Sequence, residues 1–173
     1  MIYKRKVGQD SKVKKYKCRL VAQGIWQVEG VHYPEKCSPT PSTASIRVVL
    51  AMAAAKGGKL RHFDAEQAFL KVDTDEERYI KIPKEFQEFP GAVGRLNKAI
   101  YGLVQAGRCW TTTFFDDMTA IGSEQAKAEP CVFRKVVDGE AEMVVVVHVD
   151  DILVHDKDQA TMDRFAAEPE QKC

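Results

Sequence analysis

Paired cysteines are missing from this sequence. The five present, Cys18, Cys37, Cys109, Cys131 and Cys173, are odd in number and scattered, and no C-x-x-C spacing occurs. A zinc site of ordinary spacing is therefore not expected and a disulfide framework has no support, as in a reduced, intracellular protein. Long apolar runs are missing too. The aliphatic run Met143 to Val147 is far too short to span a bilayer, where about twenty apolar residues are needed. There is no cleavable signal or lipidation motif, so no membrane partner is expected. Internal repeats and low-complexity segments are also absent. Hydrophobic residues make up 45% of the 173 positions, enough to bury the core of one ordinary domain or a piece of a larger one.

The net charge of +1 hides an uneven distribution. Met1 to Arg19 holds eight Lys or Arg residues against the single acid Asp10, whereas Asp150 to the C-terminus holds seven acids against three bases. A protein that grips a polyanion at one place and cations at another would carry charge this way, and so would one with two solvated surfaces.

Local patterns mix helices with antiparallel hairpins. Ile2 to Val7 and Val13 to Val21 read as strands joined by the turn residues Gly8-Gln9-Asp10-Ser11. Pro34, Pro39 and Pro41 exclude continuous helix in the next segment. Ile46, Val49, Leu50 and Ala53 then recur at helical period, with Ser42 or Thr43 as cap and Gly57-Gly58 as stop. Lys59 to Phe63 reads as a strand ending on Asp64, Ala65 to Leu70 as a helical turn, and Tyr79 to Ile82 as a strand stopped by Pro83. Ala106 to Ile121 reads as a helix closed by Gly122. Cys131 to Val137 and Glu142 to Val154 read as strands, separated by the hairpin signal Asp138-Gly139. This is an α+β pattern without regular βαβ alternation.

Met143-Val-Val-Val-Val-His-Val-Asp-Asp-Ile-Leu-Val154 carries the most chemistry. Two adjacent acids interrupt aliphatic runs of the kind that form buried strands. A buried unpaired carboxylate costs several kcal/mol, so Asp150 and Asp151 either lie at an exposed turn or hold something positive. Asp64 ends a strand in the same way. If the two places are neighbours, three carboxylates meet at one sheet edge, and oxygen donors of that kind suit Mg²⁺.

Five segments in order resemble copia-type retrotransposon reverse transcriptases. They are Tyr16-Lys-Cys-Arg-Leu-Val-Ala-Gln-Gly24 with Gln27 to Tyr33, Phe63-Asp-Ala-Glu-Gln-Ala-Phe-Leu70, Ile100-Tyr-Gly-Leu-Val-Gln-Ala-Gly-Arg-Cys-Trp110, Glu129-Pro-Cys-Val-Phe133 and Val149-Asp-Asp-Ile-Leu-Val154. The resemblance spans roughly Tyr3 to Phe165. It implies a fingers-and-palm fold with an antiparallel palm sheet packed on helices. Residues 1–58 would form the fingers-like part and 59–165 the palm, with a fingers-type insertion near 71–100; residues 166–173 would begin a following helix that is cut short.

The resemblance further implies an RNA-directed DNA polymerase that adds dNTPs to a primer on an RNA or DNA template. Asp64, Asp150 and Asp151 would ligate two Mg²⁺ ions. Lys17 and Arg19 would meet the triphosphate, Phe69 would exclude a ribose 2′-hydroxyl, and Gln105 would lie near the sugar. Lys12, Lys14 and Lys15 would contact template phosphates without reading sequence. As plain structural residues, Phe69 would be a core aromatic, Gln105 an exposed residue at a helix start, and the lysines a solvated strand face. The family continues into a thumb and RNase H within a polyprotein and works in cytoplasmic virus-like particles; this chain, ending about twenty residues after Asp151, would lack both parts. The alternative is a non-catalytic nucleic-acid-binding or inert remnant of such an element. The sequence departs from the family pattern at His148, where Tyr is usual, at Gly107, where Pro is usual, and at Lys71-Val72, where Asn-Gly is usual.

Overall fold

Four consecutive valines, Val144 to Val147, are all buried, and the architecture around them explains why. In the computed structural model, which describes residues 1–137, 140–158, 160–163 and 165, they lie in the centre of a five-stranded antiparallel sheet. Its strands are β3 (Lys59–Asp64), β6 (Glu124–Ala126), β7 (Glu129–Val137), β8 (Glu140–His148) and β9 (Asp151–Asp156), in the spatial order β3-β9-β8-β7-β6. Successive side chains point to opposite faces of a strand, so a run that is apolar throughout needs cover on both.

Helix α1 (Thr43–Lys56) covers one face, where Ile46, Val49 and Met52 pack with Val132, Val144, Val146 and Leu153. On the other face Phe115 of helix α3 (Ala106–Ala120) meets Phe133 edge-on at 4.9 Å between ring centroids, and Phe133 pairs with Val145. Leu50 of the expected α1 stripe stands exposed, and Met52 is the residue that packs. The ends of α1 follow local chemistry. The Ser42 hydroxyl accepts the Ser45 N–H, and Gly57 takes the left-handed conformation at φ 66°.

The chain divides into two units, each built from two stretches. The sheet belongs to the unit of Cys37–Ala68 and the chain from Trp110 onward; the other unit comprises Met1–Lys36 and Phe69–Cys109. That other unit holds two two-stranded antiparallel sheets, β1 (Ile2–Val7) with β2 (Val13–Arg19) and β4 (Asp73–Lys81) with β5 (Val93–Lys98). The chain crosses from one unit to the other after Lys36, within the single turn of α2 (Ala68–Lys71) and within α3.

The α+β expectation holds. Several details differ from the sequence reading: β2 stops at Arg19 rather than Val21, and α2 covers Ala68–Lys71 rather than Ala65 to Leu70. Strand β4 begins at Asp73 rather than Tyr79; β5 and β6 were not anticipated; and the expected strand Glu142 to Val154 is two strands, broken at Val149 and Asp150. Strands β7 and β8 pair up to Val137 and Glu140, but the Asp138-Gly139 turn itself, like residues 166–173, lies outside the described residues.

Candidate active site

The two aspartates at the end of the valine run occupy different backbone positions. Strands β8 and β9 pair down to His148 and Asp151, which leaves Val149 and Asp150 as a two-residue hairpin loop. Val149 has φ 58°, a region that costs a β-branched residue of order 1–3 kcal/mol. Two things hold it there: the β8–β9 ladder, and the indole N–H of buried Trp110, which donates to the Val149 carbonyl at 2.6 Å. The loop thus lifts Asp150 off the strand, while Asp151 stays in the ladder.

Asp64 comes to the same place from the other side. Strands β3 and β9 pair from Lys59 and Asp156 to Asp64 and Asp151, the last rung of the ladder. The chain then turns, and the Ala65 N–H donates to the Asp150 carbonyl at 2.8 Å. Residues directly opposite in an antiparallel pair have Cβ atoms about 4.5–5.5 Å apart, and like charges there repel. Three carboxylates are therefore carried on adjoining backbone at one sheet corner. Asp64 and Asp151 are exposed and Asp150 is half-buried.

The side chains do not close on one point. Asp151 Oδ1 lies 2.8 Å from His62 Nε2. Among the described residues, no group of three or more His, Cys, Asp or Glu side chains stands ready to hold a metal ion. His62 was missed in the sequence. Its signal was alternation: residues 62 and 64 of one strand share a face, but the partner strand had to be known before that face acquired Asp151.

The candidates for nucleotide contact all fall in the other unit. There β1 and β2 pair so that Lys4 faces Lys17, Lys6 faces Lys15 and Ile2 faces Arg19. By strand alternation these five cations share one face, and Tyr3, Arg5, Tyr16 and Cys18 share the other. Lys6 foremost, then Arg19, with Lys15 behind, holds the Lys17 ammonium below its ordinary pKa, as crowded like charges do. Lys14 is the extra residue of a bulge between the Lys6–Lys15 and Val7–Val13 pairs, with its stem against Gly8. Lys12 sits in the turn, its backbone N–H bound to Asp10. The register thus brings Lys15, Lys17 and Arg19 together and sets Lys12 and Lys14 apart from them.

The segment after β2 docks on Tyr101 to Gln105. The Ala22 N–H donates to the Tyr101 carbonyl at 2.7 Å. A Cβ on Gly24 would lie 2.0 Å from the Gly102 carbonyl oxygen, so only glycine allows that approach. Gln27 Oε1 accepts the Val104 N–H, which turns its amide nitrogen to Gln105 Oε1 at 3.1 Å. Gln105 is fully buried rather than exposed, and its own Nε2 has no partner among the described residues. Phe69, half-buried, lies edge-on to Tyr101 at 5.0 Å, and the Arg19 guanidinium lies 5.0 Å from the centre of the same ring.

The antiparallel sheet with acids at one corner is one unit of the chain, and the cationic hairpin belongs to the other. Comparison gives the family. The model of the reverse transcriptase (RNA-dependent DNA polymerase) family matches residues 1–172, and the chain belongs to that family. It is 35% identical over 161 residues, 91% of its length, to the retrovirus-related Pol polyprotein from transposon TNT 1-94 of Nicotiana tabacum. It is 35% identical over 159 residues to the corresponding polyprotein from transposon RE2 of Arabidopsis thaliana, and 28% identical over 144 residues to the transposon Ty1-ER2 Gag-Pol polyprotein of Saccharomyces cerevisiae. These are copia-type elements, and the chain spans 12%, 11% and 8% of the three polyproteins respectively. No solved structure matches. No helix among the described residues is long and apolar enough to cross a membrane.

Proposed function

We propose that this chain is the fingers-and-palm portion of an RNA-directed DNA polymerase, extending a primer with deoxynucleotides, and that Asp64, Asp150 and Asp151 are its metal ligands. The observation that carries the reading is the last rung of the β3–β9 ladder, where Asp64 stands opposite Asp151 beside the Val149-Asp150 loop. A cation between these carboxylates would relieve their repulsion. The all-oxygen donor set suits Mg²⁺. The backbone placement supports it too, with Asp64 and Asp151 both exposed on that rung. Two such ions, when bound, would activate the primer hydroxyl and stabilise the departing diphosphate.

The chain's own residues would do the rest. Lys17 and Arg19 would bind the triphosphate from one face of the hairpin, where the charge of a transferring phosphoryl group is best met by cations. Lys15 on the cationic face, Lys14 at the bulge and Lys12 at the turn would each meet template phosphates at separate points. Phe69 would bar a ribonucleotide, and buried Gln105 would back the pocket near the sugar through its contact with Gln27. The unit with the hairpin would serve as fingers and the five-stranded sheet as palm. The RNase H and thumb parts would come from the rest of a polyprotein like those of its relatives, and the surroundings would be those of a cytoplasmic particle.

Primer extension on an RNA template with Mg²⁺ tests this. Wild-type chain should extend the primer, and Asp150→Asn should lose about a thousandfold in rate, ~4 kcal/mol of barrier, while still binding template-primer. Undiminished extension by Asp150→Asn would refute the ligand assignment. A second reading, binding without catalysis, is favoured by the side chains that do not converge on a metal. Retained template binding with no extension by the folded wild-type chain would select it.

A further inference from the structure

We propose that Tyr101 is a positioning residue that couples Arg19 to Phe69, so that one ring sets both the grip on the triphosphate and the check on the sugar. The inference rests on the reading above, in which Arg19 and Phe69 meet the nucleotide. It goes beyond that reading because Tyr101 itself has no part there.

Three observations converge on this ring. Arg19 lies over it with Cζ 5.0 Å from the centroid, and Phe69 meets it edge-on at 5.0 Å between centroids and 64° between planes. Both distances are those of favourable cation–π and aromatic contacts. No direct contact joins Arg19 to Phe69 among those described, so Tyr101 is the link between them. The ring is also fixed from behind. The Tyr101 carbonyl accepts the Ala22 N–H at 2.7 Å, and the backbone at Ala22 to Gly24 approaches Gly102 so closely that a Cβ on either glycine would collide with it. Gly102 holds φ 88°, which keeps the chain in that turn. A ring on rigid backbone with one functional side chain on its face and another against it transmits the position of each to the other.

A guanidinium engaged with phosphate should therefore stay over Tyr101, and Phe69 should keep its place against the ring edge. If Arg19 leaves, the ring loses its cover and the Phe69 side chain loses a fixed backstop. Sugar discrimination should then suffer from a change at Arg19, although Arg19 carries no contact to the sugar in this scheme.

The test compares wild type, Tyr101→Phe, Tyr101→Leu and Arg19→Ala. Steady-state extension gives kcat and KM for dTTP and its ribose counterpart 5-methyl-UTP, and calorimetry gives binding of dTTP and of inorganic triphosphate. Tyr101→Phe keeps the ring and should match wild type. Tyr101→Leu should weaken dTTP and triphosphate binding about two- to fivefold, the size of one exposed cation–π contact. It should lower the preference for dTTP over 5-methyl-UTP by a similar factor, with kcat for saturating dTTP unchanged. Arg19→Ala should lower the same preference, which keeps the inference testable if the leucine variant fails to fold. Unaltered sugar preference in both Tyr101→Leu and Arg19→Ala would overturn the coupling while leaving the polymerase reading standing. A wild-type chain that binds neither dTTP nor triphosphate would remove that reading, and the coupling with it.

Discussion

Two regions of this molecule use strands in opposite ways. In β8 four valines are buried on both faces of a five-stranded sheet. In the β1–β2 hairpin nearly every residue is exposed on both faces, Tyr16 by 75% and Tyr3 by 69%. A two-stranded hairpin is at best marginally stable alone in water, and this one sets Lys4 against Lys17 and Lys6 against Lys15. The first region is built by burial and places its carboxylates by register. The second sacrifices stability to gather cations, an arrangement that makes sense where a polyanion completes it. The difference teaches that position is rigid at the acidic corner and conditional at the basic face.

The comparison can be broken first by stability. Trp110→Phe removes the N–H that satisfies the Val149 carbonyl, and it should cost about 1–3 kcal/mol in urea denaturation. Trp26, 76% exposed in the other unit, should tolerate the same change within about 0.5 kcal/mol. Equal losses at the two tryptophans would mean that the strained loop is not held from Trp110.

A smaller effect concerns the basic face. Replacing Lys15 and Lys17 by Ala should weaken binding of single-stranded RNA similarly for all sequences. If each contacts a phosphate, each substitution should reduce the slope of log affinity against log salt by about 0.7. Folding stability should hold or rise slightly, since both residues sit among like charges. A fall in stability with unchanged salt dependence would make the face a structural one.

The smallest effect is a pH dependence that anchors α1 to the sheet. Glu129 accepts hydrogen bonds from the Ser42 N–H and the Ser45 hydroxyl, and these hold its carboxyl below the ordinary glutamate value. A depressed carboxylate contributes stability that is present above its unfolded pKa and is lost as pH falls through the folded one. Glu129→Gln should therefore be less stable than wild type near neutrality. The gap should narrow in acid below the unfolded glutamate range, as thermal melts across pH would show. A gap independent of pH would remove Glu129's charge from the account.

The same contrast explains what the sequence could tell. The acidic corner was legible because burial writes long apolar runs, and Asp150 and Asp151 interrupt one. Helix α1 was legible because Ser42 and Gly57 are cap residues with local reasons to be there. Strand β5, Val-Gly-Arg-Leu-Asn-Lys, was not, since a half-exposed two-stranded sheet needs little apolar alternation. The start of β4 hides in the acidic stretch Asp73 to Glu77, where strand propensity is low. The expected two-acid turn resolved into one turn residue and one ladder residue, because Val149 accepts a positive φ that its residue type disfavours. The contacts of His62 and Tyr101 are with partners distant in the chain, His62 with Asp151 and Tyr101 with Arg19 and Phe69, and no local pattern carries that.

The most direct test of the acidic corner is Mn²⁺ titration of the ¹⁵N-labelled chain, read as paramagnetic broadening of backbone amides. Broadening should begin at Asp64, Ala65, Asp150 and Asp151 together, and Asp151→Asn should abolish it at all four. Broadening that spreads over the acidic surface without favouring these residues, or that survives in Asp151→Asn, would contradict cation binding by the three carboxylates.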